Sequence, residues 1–183
     1  MAFLHGKHVL AGLMAGLFVA CAAPAAAQQA GGTPGGLALQ AGMGDDYQRY
    51  MLGYETPTLW SYRFGGDWGR LDLTGELAVS YWHADSGHSP SSLWQLGATP
   101  MLRWWLGERF YVEGGVGANV FSRTTFADKT ISTAFQFGDH IGLGFQLTQS
   151  ARIGVRYSHF SNANIKKPNP GLDVVQLTYV QSF

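Results

Sequence analysis

From Leu37 onward the chain repeats one pattern eight times: apolar residues alternate with polar or glycine residues, and a turn-rich break follows. The stretches are approximately 37–44, 48–60, 69–83, 92–106, 110–122, 133–147, 151–162 and 172–183. A period of two belongs to the β-strand, whose successive side chains point to opposite faces. In the third stretch Leu71, Leu73, Leu77, Val79 and Tyr81 share a face, against Asp72, Thr74, Glu76 and Ser80. In the sixth, Phe135, Phe137, Ile141, Leu143 and Phe145 oppose Gln136, His140 and Gln146. Helical periodicity is absent beyond the N-terminal segment, so the fold class is all-β. An antiparallel barrel satisfies such a pattern in two ways. The apolar set faces inward in a soluble barrel and outward in a membrane barrel.

Three features favour the outward sense. Residues 1–27 read as a cleaved signal peptide: Lys7 opens it, Val9 to Ala23 is almost wholly apolar, and Ala25-Ala26-Ala27 offers small residues for cleavage. The single cysteine, Cys21, is lost with it, which removes disulfides and thiol chemistry from the mature protein. Residues 28–36, rich in Gly, Gln and Pro, read as a flexible segment before a barrel over 37–183. Aromatic residues gather near strand ends (Trp60, Trp68, Tyr81, Trp82, Trp104, Trp105, Tyr111), as interfacial girdles require. The last strand, Val175-x-Leu177-x-Tyr179 ending on Phe183, resembles the C-terminal strand of bacterial outer-membrane barrels.

Charge agrees with this reading. Only 13% of residues are charged, about half the usual share of about 25% in soluble domains. Loss of Lys7 leaves 11 basic against 12 acidic residues, which gives no basic footprint for nucleic acid. No stretch after the signal approaches the roughly 20 apolar residues of a membrane helix. A membrane protein without helices must be a closed barrel, because lipid cannot satisfy an open sheet edge. The expected architecture is therefore an eight-stranded antiparallel transmembrane β-barrel of the bacterial outer membrane. Its lumen would be filled, with Glu76, Arg103, Glu113 and His140 as an ion-paired and hydrogen-bonded plug.

One group of polar residues falls on the wrong face for packing. His159 and Ser161 share the parity of Ile153, Val155 and Tyr157, and Asp173 shares that of Val175, Leu177 and Tyr179. A base, a nucleophile and an acid thus stand on the apolar faces of neighbouring strands. Cα atoms two apart on a strand lie about 6.5 Å from each other, which a Ser–His hydrogen bond can bridge. Asp173 would fix the histidine tautomer from the paired strand. Solvated rim residues would leave the same pattern, and Lys166 and Lys167 read equally as lipid-phosphate contacts or ordinary loop charges. Loops 84–92 and 123–132 read as exposed. No metal-ligand spacing accompanies these residues and no cofactor is expected.

The run His159-Phe-Ser161-Asn162-Ala163, followed by Lys166-x-Pro168-Asn169-x-Gly171-x-Asp173, resembles the C-terminal motif of the lipid A 3-O-deacylase family. Strong similarity covers roughly the last 30 residues, with Phe137-Gly-Asp-His-Ile-Gly as an upstream echo. The resemblance implies a serine esterase, acting on lipid A or lipopolysaccharide among outer-membrane lipids, with its site towards the outer leaflet. It implies Ser161 as nucleophile, His159 as base and Asp173 as acid, with an oxyanion hole from Asn162 and the backbone N–H of Asn164. Two positions depart from the family pattern: Asp173 stands where Glu is frequent, and Asn164 where Gly is common. Asparagine tolerates a left-handed backbone better than other residues with a Cβ. A non-enzymatic barrel for adhesion or envelope integrity is the main alternative, and an acyltransferase or barrel phospholipase the next. A homodimer is compatible with either class.

Overall fold

The computed structural model describes residues 32–183. The expected signal peptide lies outside the described residues. The strands are β1 (Gly36–Met43), β2 (Tyr47–Glu55), β3 (Trp60–Arg63), β4 (Arg70–Ala84), β5 (Ser92–Leu106), β6 (Phe110–Phe121), β7 (Thr125–Phe126), β8 (Lys129–Thr130), β9 (Phe135–Gln146), β10 (Ala151–Ser161) and β11 (Leu172–Ser182). Eight of them form the barrel wall in the order β1-β2-β4-β5-β6-β9-β10-β11, every pair antiparallel. The wall closes where β1 meets β11, from Gly36 opposite Ser182 to Met43 opposite Val175. Closure pairs each of the eight wall strands on both sides, as a wall immersed in lipid requires. The predicted second stretch, 48–60, is divided. Residues 56–59, with Pro57 among them, leave the ladder, and β3 resumes the pairing along β4. Of the expected flexible segment, residues 32–36 are described: Thr33 exchanges backbone and hydroxyl hydrogen bonds with Thr58, and Gly36 already opens β1.

The apolar set faces outward. Leu77, Leu96, Ile141 and Leu177 are each more than half exposed, at 55 to 68%. The inward face is polar and filled, and every side chain of the expected plug is buried there. Arg103 bonds Glu55 and Glu113, Arg156 bonds Glu76 and Glu113, and Arg152 bonds Glu55. His140 Nδ1 meets Ser158 Oγ at 2.7 Å. Glu55, Arg152 and Arg156 extend the plug beyond the four residues expected. Burying so many charges is tolerable because each of these groups finds opposite charge.

Three aromatics assigned to the girdle are instead inside. Trp82, Trp105 and Tyr111 are at most 3% exposed. The indoles have partners there, Trp82 Nε1 donating to Gln95 and Trp105 Nε1 to Asp72. Trp60 and Trp68 do face outward, at 42% and 68% exposed.

One end of the barrel has tight turns at 64–69, 107–109 and 147–150. The other carries the turn 44–46 and the longer loops 85–91, 122–134 and 162–171. A second, apolar core closes this loop-bearing end: Tyr47, Trp82, Leu93, Phe121, Phe126, Ile131, Phe160 and Leu172 are all nearly inaccessible. The loop at 123–132, expected to be merely exposed, therefore sends Phe126 and Ile131 down into the barrel mouth. Between them the small β7–β8 hairpin turns through Ala127 and Asp128, both with positive φ.

Candidate active site

Strands β10 and β11 bring His159 directly opposite Asp173 at the loop-bearing end. Where their backbone bonds go explains how close they come. The N–H and C=O of a strand residue point to the same side. Both of those groups of Asp173 are engaged by one phenol: Tyr47 Oη accepts from Asp173 N–H and donates to its C=O, each at 3.0 Å. Tyr47 thus replaces a β1 residue on the edge of β11 where β1 has ended, β1 stopping at Met43 opposite Val175. Gly44 makes room for it, since a Cβ there would lie 2.2 Å from the Tyr47 ring. The backbone of Asp173 therefore faces away from β10, and His159–Asp173 is a non-hydrogen-bonded pair. In such pairs Cα atoms approach to about 4.5 Å, against about 5.5 Å in hydrogen-bonded ones. That proximity offsets the short aspartate side chain.

The result is a hydrogen bond of 2.7 Å between His159 Nδ1 and Asp173 Oδ1. An ionised carboxylate only accepts, so Nδ1 carries a proton, and the tautomer this selects has Nε2 as its acceptor. Tyr157, two residues earlier on the same face, donates its hydroxyl to the same Asp173 oxygen at 2.5 Å. Gly171 backs onto the imidazole; it has φ of +73°, and a Cβ would meet His159 Cε1 at 2.6 Å. Asp139 on β9 is the other strand partner of His159. It is half-buried on the same outward face, in the Phe137-Gly-Asp-His-Ile-Gly run.

Ser161 ends β10 on the face of His159, but no hydrogen bond joins the two. Ser161 Oγ instead accepts a long bond from Ala163 N–H at 3.5 Å. Asn162 points the opposite way and is fully buried. Its Nδ2 donates to Ile131 C=O at 3.0 Å and Lys166 C=O at 2.8 Å. Its backbone N–H goes to Asn169 Oδ1 at 3.1 Å. The side-chain amide expected at an oxyanion hole is thus occupied in anchoring the loop to the β7–β8 hairpin. Residues 162–165 form a tight turn closed by Ile165 N–H to Asn162 C=O at 3.0 Å. Its central residues, Ala163 and Asn164, have φ of +52° and +64°, the left-handed pair of a type I′ turn. Asn164 thus adopts the conformation for which glycine is the default residue. Ser132 Oγ adds a bond to Pro168 C=O at 2.7 Å, tying the same loop down a second time.

A closed eight-stranded barrel with a filled, ion-paired lumen and an apolar outer wall is a small outer-membrane barrel rather than an open pore. The chain belongs to the lipid A 3-O-deacylase (PagL) family, whose model matches residues 48–181. It is 63% identical over 183 residues to the lipid A deacylase PagL of Bordetella bronchiseptica, covering all of both chains. It is 29% identical over 133 residues to the lipid A deacylase PagL of Pseudomonas aeruginosa, covering 65% of this chain and 76% of that one. A crystal structure of the outer-membrane enzyme PagL shares the fold with a TM-score of 0.71 at 24% identity, covering 81% of this chain and 99% of that chain.

Proposed function

We propose that this enzyme hydrolyses the ester holding the 3-O-linked 3-hydroxyacyl chain of lipid A, with Ser161, His159 and Asp173 as its triad. The observation that carries the reading is the His159–Asp173 bond, which fixes the orientation of the imidazole, Nδ1 toward the acid, on the outward face that also bears Ser161. Ser161 reaches Nε2 by rotating away from Ala163 N–H as substrate arrives; catalytic hydrogen bonds commonly tighten only in the substrate complex. His159 then takes the Ser161 proton as Oγ attacks the ester carbonyl. The intermediate collapses, its C–O bond breaks, and the deacylated glucosamine leaves with the proton from His159. Water, activated by His159, attacks the acyl-enzyme and releases the 3-hydroxy fatty acid and free Ser161.

The oxyanion is assigned to backbone N–H groups of the turn at Ala163 and Asn164. Asn162 contributes by holding that turn in place. Such donors are typically worth about 10²–10³ in rate. The loop-bearing end would lie outside the cell, with the triad at the level of the outer-leaflet glycolipid. An outward-facing site suits a substrate too bulky for a filled lumen.

The test is mass spectrometry of lipid A from cells carrying the wild type, Ser161→Ala or His159→Ala. Loss of one 3-hydroxyacyl group with the wild type alone supports the assignment. Deacylation by either folded variant would overturn it.

A further inference from the structure

We propose that Tyr157 is a positioning residue of the catalytic acid, an inference that rests on the esterase reading above. Tyr157 stands one step below His159 on the same face of β10, opposite Val175 and therefore diagonal to Asp173. Diagonal neighbours lie about 7–8 Å apart, within reach of an aromatic side chain. Its hydroxyl donates to Asp173 Oδ1, the oxygen that also receives His159 Nδ1–H. Two side chains from one strand thus grip one carboxylate oxygen on the neighbouring strand.

The location makes this grip consequential. Tyr157 is 43% exposed on a wall whose neighbouring outward residues, Val155 and Val175, are apolar. A carboxylate beside them has little water on that side, so the phenol replaces a missing solvent donor. Charge-assisted bonds of this kind are roughly twice as strong as neutral ones. The phenol also limits rotation of Asp173, keeping Oδ1 on the imidazole, while Tyr47 holds the acid's backbone from the lumen side. Short as it is, aspartate stays within the span of both β10 donors.

The experiment measures kcat and KM on lipopolysaccharide in reconstituted vesicles for Tyr157→Phe, with Tyr179→Phe and Ser161→Ala beside it. Phenylalanine keeps the ring and its lipid contact and removes only the hydroxyl. Tyr179 is another outward tyrosine; its hydroxyl bonds Gln181 at 2.7 Å, away from the triad. Tyr157→Phe is expected to lower kcat about tenfold with KM within about twofold, as loss of one bond to a charged group implies. The Nδ1–H proton resonance of His159 is expected to move in Tyr157→Phe and to stay in Tyr179→Phe. A wild-type kcat, an unmoved resonance, or an equal loss in Tyr179→Phe would overturn the inference. Activity in Ser161→Ala would instead overturn the esterase reading itself.

Discussion

Asn164 shows how much one backbone angle decides. A φ of +64° is open to glycine, tolerable for asparagine and costly for a β-branched residue. Asn164→Gly is therefore expected to keep wild-type kcat, whereas Asn164→Val lowers it at least about tenfold by displacing the turn's N–H groups. Steady-state kinetics on the two purified variants decides this. The two acids flanking His159 should also separate. Asp173 holds Nδ1 directly, while Asp139 is only its strand partner. Asp173→Asn is expected to cost roughly 10³-fold or more through the wrong tautomer, and Asp139→Asn less than about tenfold. Equal losses would mean that both carboxylates serve the histidine. The pairing of His159 with Asp173 was legible because parity and motif are local; the fate of the Asn162 amide was not. Its acceptor at Ile131 lies 31 residues away, in a loop whose path the alternation does not describe.

Among the elements, the β7–β8 hairpin is the one the sequence conceals. Phe126 and Ile131 are isolated apolar residues among Ser, Thr, Arg and Asp, and two-residue strands leave no period to read. Yet Ile131 C=O and Ser132 Oγ are the anchors of the loop at 162–171. Asn162→Ala leaves the Ile131 and Lys166 carbonyls without that donor and frees the turn beside Ser161. It should reduce kcat while the barrel's thermal unfolding midpoint barely moves, because the ladder is untouched. A large fall in the midpoint with unchanged kcat would refute the anchoring role. The wall strands were legible almost residue by residue, since a strand with one face in lipid cannot shift register without exposing the wrong set. The errors fell where alternation is locally ambiguous. Trp104 and Trp105 are adjacent and cannot both face outward, and the lumen side keeps Trp105 because Asp72 accepts its indole N–H.

The molecule as a whole is a wall around an electrostatic core. Glu113 links Arg103 to Arg156, so Glu113→Ala would leave two buried guanidinium groups short of charge. Removing one partner of a buried pair typically costs about 3–5 kcal/mol. The unfolding midpoint in denaturant should fall accordingly, with the outer-wall groups unaltered. The same filling predicts that the purified barrel adds no ion conductance to a planar bilayer; stable conducting steps would contradict a closed lumen. If the proposed triad on the outer wall is the site, substrate reaches it by gliding sideways within a film. The quantity that sets turnover is then how many neighbours per unit area carry the ester, not how many moles fill a litre. Diluting the leaflet with inert amphiphile should slow the reaction even when every molecule of enzyme and substrate remains in the vessel.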